Sequence, residues 1–187
     1  MRFFPLLCIL LLLACKTITP NNSKSSLTKG EEEFQTYLDQ KVAKLRGKQA
    51  PNLSYTLLDG STQQLSDLKG KVVLLNFWFV GCKPCEVEVA SLNQLLADYG
   101  SKGFVIISLG LDDIEKAKAF AERKQCKYLI AANAKEQAAK YEVSSYPSNY
   151  LIDKNGVIQE VFIGASDFDA TLTYREVKPH LERMLAK

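Results

Sequence analysis

At 187 residues and 47% hydrophobic content, the chain is long enough for one well-cored domain plus extensions. Its net charge of +3 is mild, and no basic run interleaved with aromatics is present, so nucleic-acid binding has no support. The single histidine, His180, follows Pro179 near the chain end and reads as a surface helix residue rather than a catalytic base.

The first fifteen residues read as a targeting segment. Arg2 supplies a positive start, and residues 3–13 form an apolar run too short to span a bilayer. Leu12-Leu13-Ala14-Cys15 resembles a bacterial lipobox, although Leu13 is bulkier than the usual residue there; Cys8 fails the same test because Leu7 precedes it. That resemblance implies loss of residues 1–14 and lipid on Cys15, which would hold the domain on a membrane surface outside the cytoplasm. An ordinary secretory signal with a coincidental cysteine is the alternative. Lys16 is not the Asp associated with inner-membrane retention, so the choice of membrane stays open. Without the leader, Cys82, Cys85 and Cys126 remain: one pair and a spare, with Cys126 read as a small buried hydrophobe.

Residues 15–30 are mostly polar and read as a flexible tether. Thr28-Lys29-Gly30-Glu31 has capping-box spacing, and Phe34, Leu38, Val42 and Leu45 follow as one apolar stripe, predicting a helix over 31–47. A domain over 48–187 follows. Residues 53–58 and 62–65 flank Asp59-Gly60 as a β-hairpin. Residues 72–79 are apolar, β-branched and aromatic, and read as a buried central strand.

Cys82-Lys83-Pro84-Cys85 sits where that strand turns into a helix, whose stripe is read as Val87, Ala90, Leu92, Leu95, Leu96 and Tyr99. Unpaired N–H groups and the helix dipole there favour a thiolate, Lys83 adds positive charge, and Pro84 suits the first turn. The pattern predicts an exposed nucleophilic Cys82 and a resolving Cys85 one turn in. Zinc binding and two ordinary buried cysteines are the competing readings; for zinc, Cys126 and His180 are far apart in sequence and do not supply a second ligand pair. Strands are then predicted at 104–109, 128–131, 150–152 and 157–163, with helices at 114–124, 135–141 and 170–186. Pro179 interrupts the last helix without a reason visible in the sequence.

Four segments together resemble the thioredoxin superfamily, specifically its membrane-tethered TlpA/ResA-like branch. They are Ala50-Pro51 through Lys71, Asn76-Phe77-Trp78 with the Cys82–Cys85 motif, Ser145-Tyr146-Pro147 before a strand, and Leu151-Ile152-Asp153-Lys154-Asn155-Gly156. The resemblance implies an α/β fold: a thioredoxin-like three-layer sandwich with a mixed central sheet and an N-terminal β-hairpin extension. It implies that Cys82 attacks, that Cys85 resolves, and that a cis Pro147 lies against their disulfide. Glu88, three residues after Cys85, matches an acidic residue of this branch and would serve as a proton acceptor and donor for Cys85; a solvated surface Glu, like Glu86, is its bland alternative. Asn76 stands where thioredoxin has a buried Asp. Gly81 replaces a Trp, and Tyr146 replaces a Thr or Ile-type residue, so Gly81, Lys83, Pro84, Tyr146 and Pro147 would shape the substrate groove. Trp78 is read as core packing beside the site.

The activity so implied is an extracytoplasmic thiol-disulfide oxidoreductase that reduces protein disulfides, with no cofactor beyond the Cys82–Cys85 pair and no metal. Its partners would be disulfide-bearing extracytoplasmic proteins and a thiol-reducing membrane electron donor, and the enzyme itself a monomer. A peroxiredoxin-type peroxidase would want Pro and Thr or Ser ahead of Cys82, which residues 77–81 do not offer. A copper carrier would want wider cysteine spacing and a better-placed histidine.

Overall fold

The computed structural model describes residues 28–186; the leader, Cys15 and all but the end of the tether lie outside them. Helix α1 (Lys29–Leu45) precedes an antiparallel hairpin of β1 (Ser54–Thr56) and β2 (Thr62–Gln64). The chain then runs β3 (Val72–Trp78), α2 (Lys83–Tyr99), β4 (Phe104–Gly110), α3 (Ile114–Lys124) and β5 (Leu129–Ala131). It closes with α4 (Lys135–Lys140), β6 (Ser148–Ile152), β7 (Ile158–Ile163) and α5 (Leu172–Leu185). Five strands form one mixed sheet in the order β5-β4-β3-β6-β7, parallel among β3, β4 and β5 and antiparallel at β6 and β7. The expected sandwich is the one observed.

All seven residues of β3 are buried, as a central strand covered on both faces requires. Alternation divides them: Val72, Leu74 and Trp78 join the core under α2, α3 and α5. Val73, Leu75 and Phe77 join the opposite core, with the hairpin and α4. By the same alternation Asn76 faces the α2 side, and the register places it beside Ser108 of β4 and Asn149 of β6. A polar row therefore crosses three strands beneath α2.

Two sequence expectations change, and one puzzle is explained. On α2 the stripe shifts: Val87 is half-buried and Ala90 exposed, while Glu88, Val89 and Ser91 are buried. Two polar residues on the inner face disguised it. On α1, Leu38 is buried and lines a seam with Val161 and Ile163, but Phe34, one turn further out, is 53% exposed. Pro179 lies inside α5 on its solvent face, where the carbonyl it leaves unpaired can meet water. The sheet borders also have partners. Gly47 donates to the Ile158 carbonyl and Ile158 to that of Lys48, while Leu58 donates to Ile130 and Leu57 bridges Ala131.

Candidate functional site

Cys82 and Cys85 form a disulfide at the N-terminus of α2, with Cα atoms 5.3 Å apart. Cys82 is the N-cap residue, and its Sγ accepts from the backbone N–H of Cys85 at 3.4 Å. After reduction, that donor and the helix dipole favour a thiolate on Cys82. Pro84 occupies the first turn, as its missing N–H permits. The expectation of an exposed Cys82 is corrected. Cys82 is 5% and Cys85 2% exposed, because both side chains face the α2-side core while Gly81 and Lys83 carry the exposure. The Gly81 backbone has φ +92°, so its small size serves the turn as well as any groove.

The strand-to-helix loop is anchored from β4. Val80 donates its N–H to Asp112 Oδ2 at 2.7 Å, and Leu111 donates to the Trp78 carbonyl at 3.0 Å. Trp78 is 2% exposed and stacks on Phe120 with ring centroids 4.1 Å apart, which matches core packing. Tyr146-Pro147 is cis. Tyr146 is half-buried and meets Phe79 edge-on at 5.3 Å, and Phe79 is 38% exposed. Phe79, three residues before Cys82, thus pairs with the residue that precedes the cis proline. Phe79 was not among the expected groove residues, although a large aromatic directly before Val80-Gly81 was visible.

Glu88 is 2% exposed, one helical turn after Cys85. Its carboxylate receives Asn76 Nδ2 at 2.6 Å, Asn149 Nδ2 at 3.1 Å and Thr173 Oγ1 at 3.2 Å. Burial pushes its carboxyl up to about 7, and the three donors oppose that rise without cancelling it. Asn76 also donates to Asn149 Oδ1 at 3.0 Å and accepts from Ser108 Oγ at 2.7 Å. Asn76 is therefore joined directly to Glu88. Asn149, Ser108 and Thr173 escaped the sequence reading; polar residues inside otherwise apolar segments were their only signal.

Glu86 differs from a free surface acid. It pairs with Lys124 at 2.7 Å and Arg123 at 3.1 Å, and Lys124 holds its carboxyl below the usual range. Cys126 is half-buried, and burial pushes its thiol up. His180 sits 2.9 Å from Glu160 on β7 and edge-on to Phe162, bracing α5 against the sheet. Among the described residues no three His, Cys, Asp or Glu side chains converge as a metal site requires.

The AhpC/TSA family description matches residues 46–161. The chain is 35% identical over 153 residues to the thioredoxin-like protein YneN of Bacillus subtilis, covering 80% of this chain and 86% of that protein. It is 40% identical over 133 residues to the thiol-disulfide oxidoreductase ResA of Bacillus cereus, covering 70% and 77% respectively. Among solved structures, the thioredoxin domain of a thiol-disulfide oxidoreductase from Bacteroides vulgatus superposes with a TM-score of 0.63 at 27% identity, covering 73% of this chain and 97% of that one. Fold, redox pair and likeness agree: the chain belongs to the AhpC/TSA family as a thioredoxin-like thiol-disulfide oxidoreductase.

Proposed function

We propose that the protein is an extracytoplasmic reductant of protein disulfides, tethered by lipid on Cys15, with Glu88 moving the proton of Cys85. The observation that carries the reading is a buried carboxyl held near neutrality one turn from the resolving cysteine. An ordinary glutamate near 4.5 would take a proton from a thiol near 8.5 at a cost of about 5 kcal/mol. At about 7 the same transfer costs about 2 kcal/mol.

In the reduced enzyme, Cys82 Sγ attacks one sulfur of the client disulfide. A mixed S–S bond forms, and the other client sulfur leaves as a thiolate that takes up a proton. Cys85 passes its proton to Glu88 and attacks Cys82 Sγ, releasing the second client sulfur as a thiolate that takes a proton from water and closing the enzyme disulfide. Two electrons have gone to the client. A membrane donor of the thiol-reducing type returns them, Glu88 giving its proton back to Cys85. Gly81, Lys83, Pro84, Tyr146 and Pro147 form the groove that receives the client, with Phe79 beside them. The N-terminal apolar run and Leu12-Leu13-Ala14-Cys15 support the location, and the ResA relative supports the chemistry.

The test is the full chain carrying Cys85→Ser, expressed in a bacterial host and acid-quenched before extraction. A mixed disulfide through Cys82 to extracytoplasmic proteins is expected, and mass spectrometry names client and donor. Recovery of Cys82 with no protein attached would reject disulfide exchange with protein clients.

A further inference from the structure

We infer that Thr173 and Asn149 are positioning residues for the redox chemistry, holding the Glu88 carboxylate from two elements remote in sequence. This rests on the Glu88 role proposed above. Each Glu88 oxygen has its own hold: Oε1 receives Asn76, and Oε2 receives both Asn149 and Thr173. The donors come from β3, β6 and α5, so no single element fixes the acid.

Thr173 is itself fixed. It is 4% exposed in the first turn of α5, and that turn is tied to α2 on both sides. Ser91 Oγ donates to the Ala170 carbonyl, and Tyr174 Oη donates to Asp98 Oδ2 at 2.8 Å. Asn149 is fixed by Asn76, which Ser108 orients in turn. The hydroxyl and amides therefore point at Glu88 before any reaction begins.

The chemical character of the three donors matters as much as their position. β3, β6 and α5 present Glu88 with two amides and a hydroxyl, and among the described residues no cation acts on it. Among the described residues the titratable group that acts on it electrostatically is the buried Tyr128 ahead of β5, whose phenol is raised mostly by its own burial and partly by Glu88 and is hydrogen-bonded to Cys126. Cys85 lies one turn earlier on the same helix. A lysine or arginine in place of these donors would pin the carboxylate ionised, and no donors at all would pin it protonated. Three neutral donors leave it able to do both.

The experiment uses full-length protein labelled with ¹³C at the glutamate carboxyls, with the disulfide intact, and follows Glu88 by NMR across pH; Glu88→Gln assigns the resonance. Thr173→Val removes the hydroxyl and keeps the shape, and the Glu88 midpoint is expected to rise by about one unit, with Thr173→Ser restoring it. Asn149→Leu is expected to raise it as well, which keeps the question answerable if Thr173→Val does not fold. A midpoint unmoved in the folded variants overturns the inference. A parallel profile of iodoacetamide alkylation of the reduced thiols separates the two claims. If Glu88→Gln leaves that profile unchanged, the role of Glu88 in proton transfer fails, whatever the NMR midpoints show. If Glu88→Gln changes the profile but Thr173→Val and Asn149→Leu move neither readout, the positioning role alone fails.

Discussion

Replacing Glu88 with Gln should make the protein gain stability relative to wild type as pH rises. Below pH 4.5, the ordinary value, the side chain is protonated in both folded and unfolded chains and contributes nothing to the pH dependence. Between 4.5 and about 7 the unfolded chain releases the proton while the folded one retains it, so wild-type stability declines. Above about 7 the folded carboxylate is ionised in a buried site and the full penalty is present. A rise from 4.5 to about 7, at about 1.4 kcal/mol for each tenfold change in acidity, sets that penalty between about 3 and 4 kcal/mol. That is a large share of the ~5–15 kcal/mol that holds a typical domain together. Glutamine does not titrate, so its own packing cost is a constant offset. Urea unfolding of both proteins, disulfide intact, from about pH 4 to pH 8 gives two stability curves whose difference cancels the other groups. The difference should widen by about 3 kcal/mol in favour of Glu88→Gln, mostly between pH 5 and pH 7. A difference flat to within about 0.5 kcal/mol would mean that Glu88 ionises at its ordinary value and that burial does not govern it.

Two glycines should respond differently to the same change. At Gly81 an added Cβ meets nothing within 4 Å but the backbone has φ +92°, so Gly81→Ala should cost about 1–2 kcal/mol through backbone strain alone and leave Trp78 fluorescence unaltered. At Gly110 the Cβ would lie 2.8 Å from Trp78 Cζ2, so Gly110→Ala should cost about 1–3 kcal/mol by overpacking and perturb Trp78 fluorescence, both read in one urea titration. Equal fluorescence changes in the two variants would contradict the assigned contacts.

Much of the architecture was legible because its signals are local. The run 72–79 could only be a buried strand, and Asp59-Gly60 and Asn155-Gly156 announced their turns. Cys82, Cys85 and Glu88 were found by spacing and by resemblance. The surroundings of Glu88 were not, for a definite reason: Asn76, Ser108 and Asn149 become neighbours only through the register of three strands, and Thr173 arrives on the last helix, 85 positions from Glu88. No one-dimensional period carries that information. The inner polar residues Glu88 and Ser91 also displaced the perceived stripe of α2 toward Val87 and Ala90, so the feature that makes the site was the one that blurred its helix.

The pairings at the two borders of the sheet bear on how such a protein behaves in a crowded compartment. Residues 47–49 pair with the start of β7, and Leu57 and Leu58 close the rim of β5. Partly unfolded polypeptide is the material most apt to add a strand to an unguarded sheet rim. With β5 and the start of β7 paired to its own chain, the sheet offers such polypeptide a shorter template for aggregation. The segments ahead of the redox motif in sequence thereby act as a guard on colloidal stability.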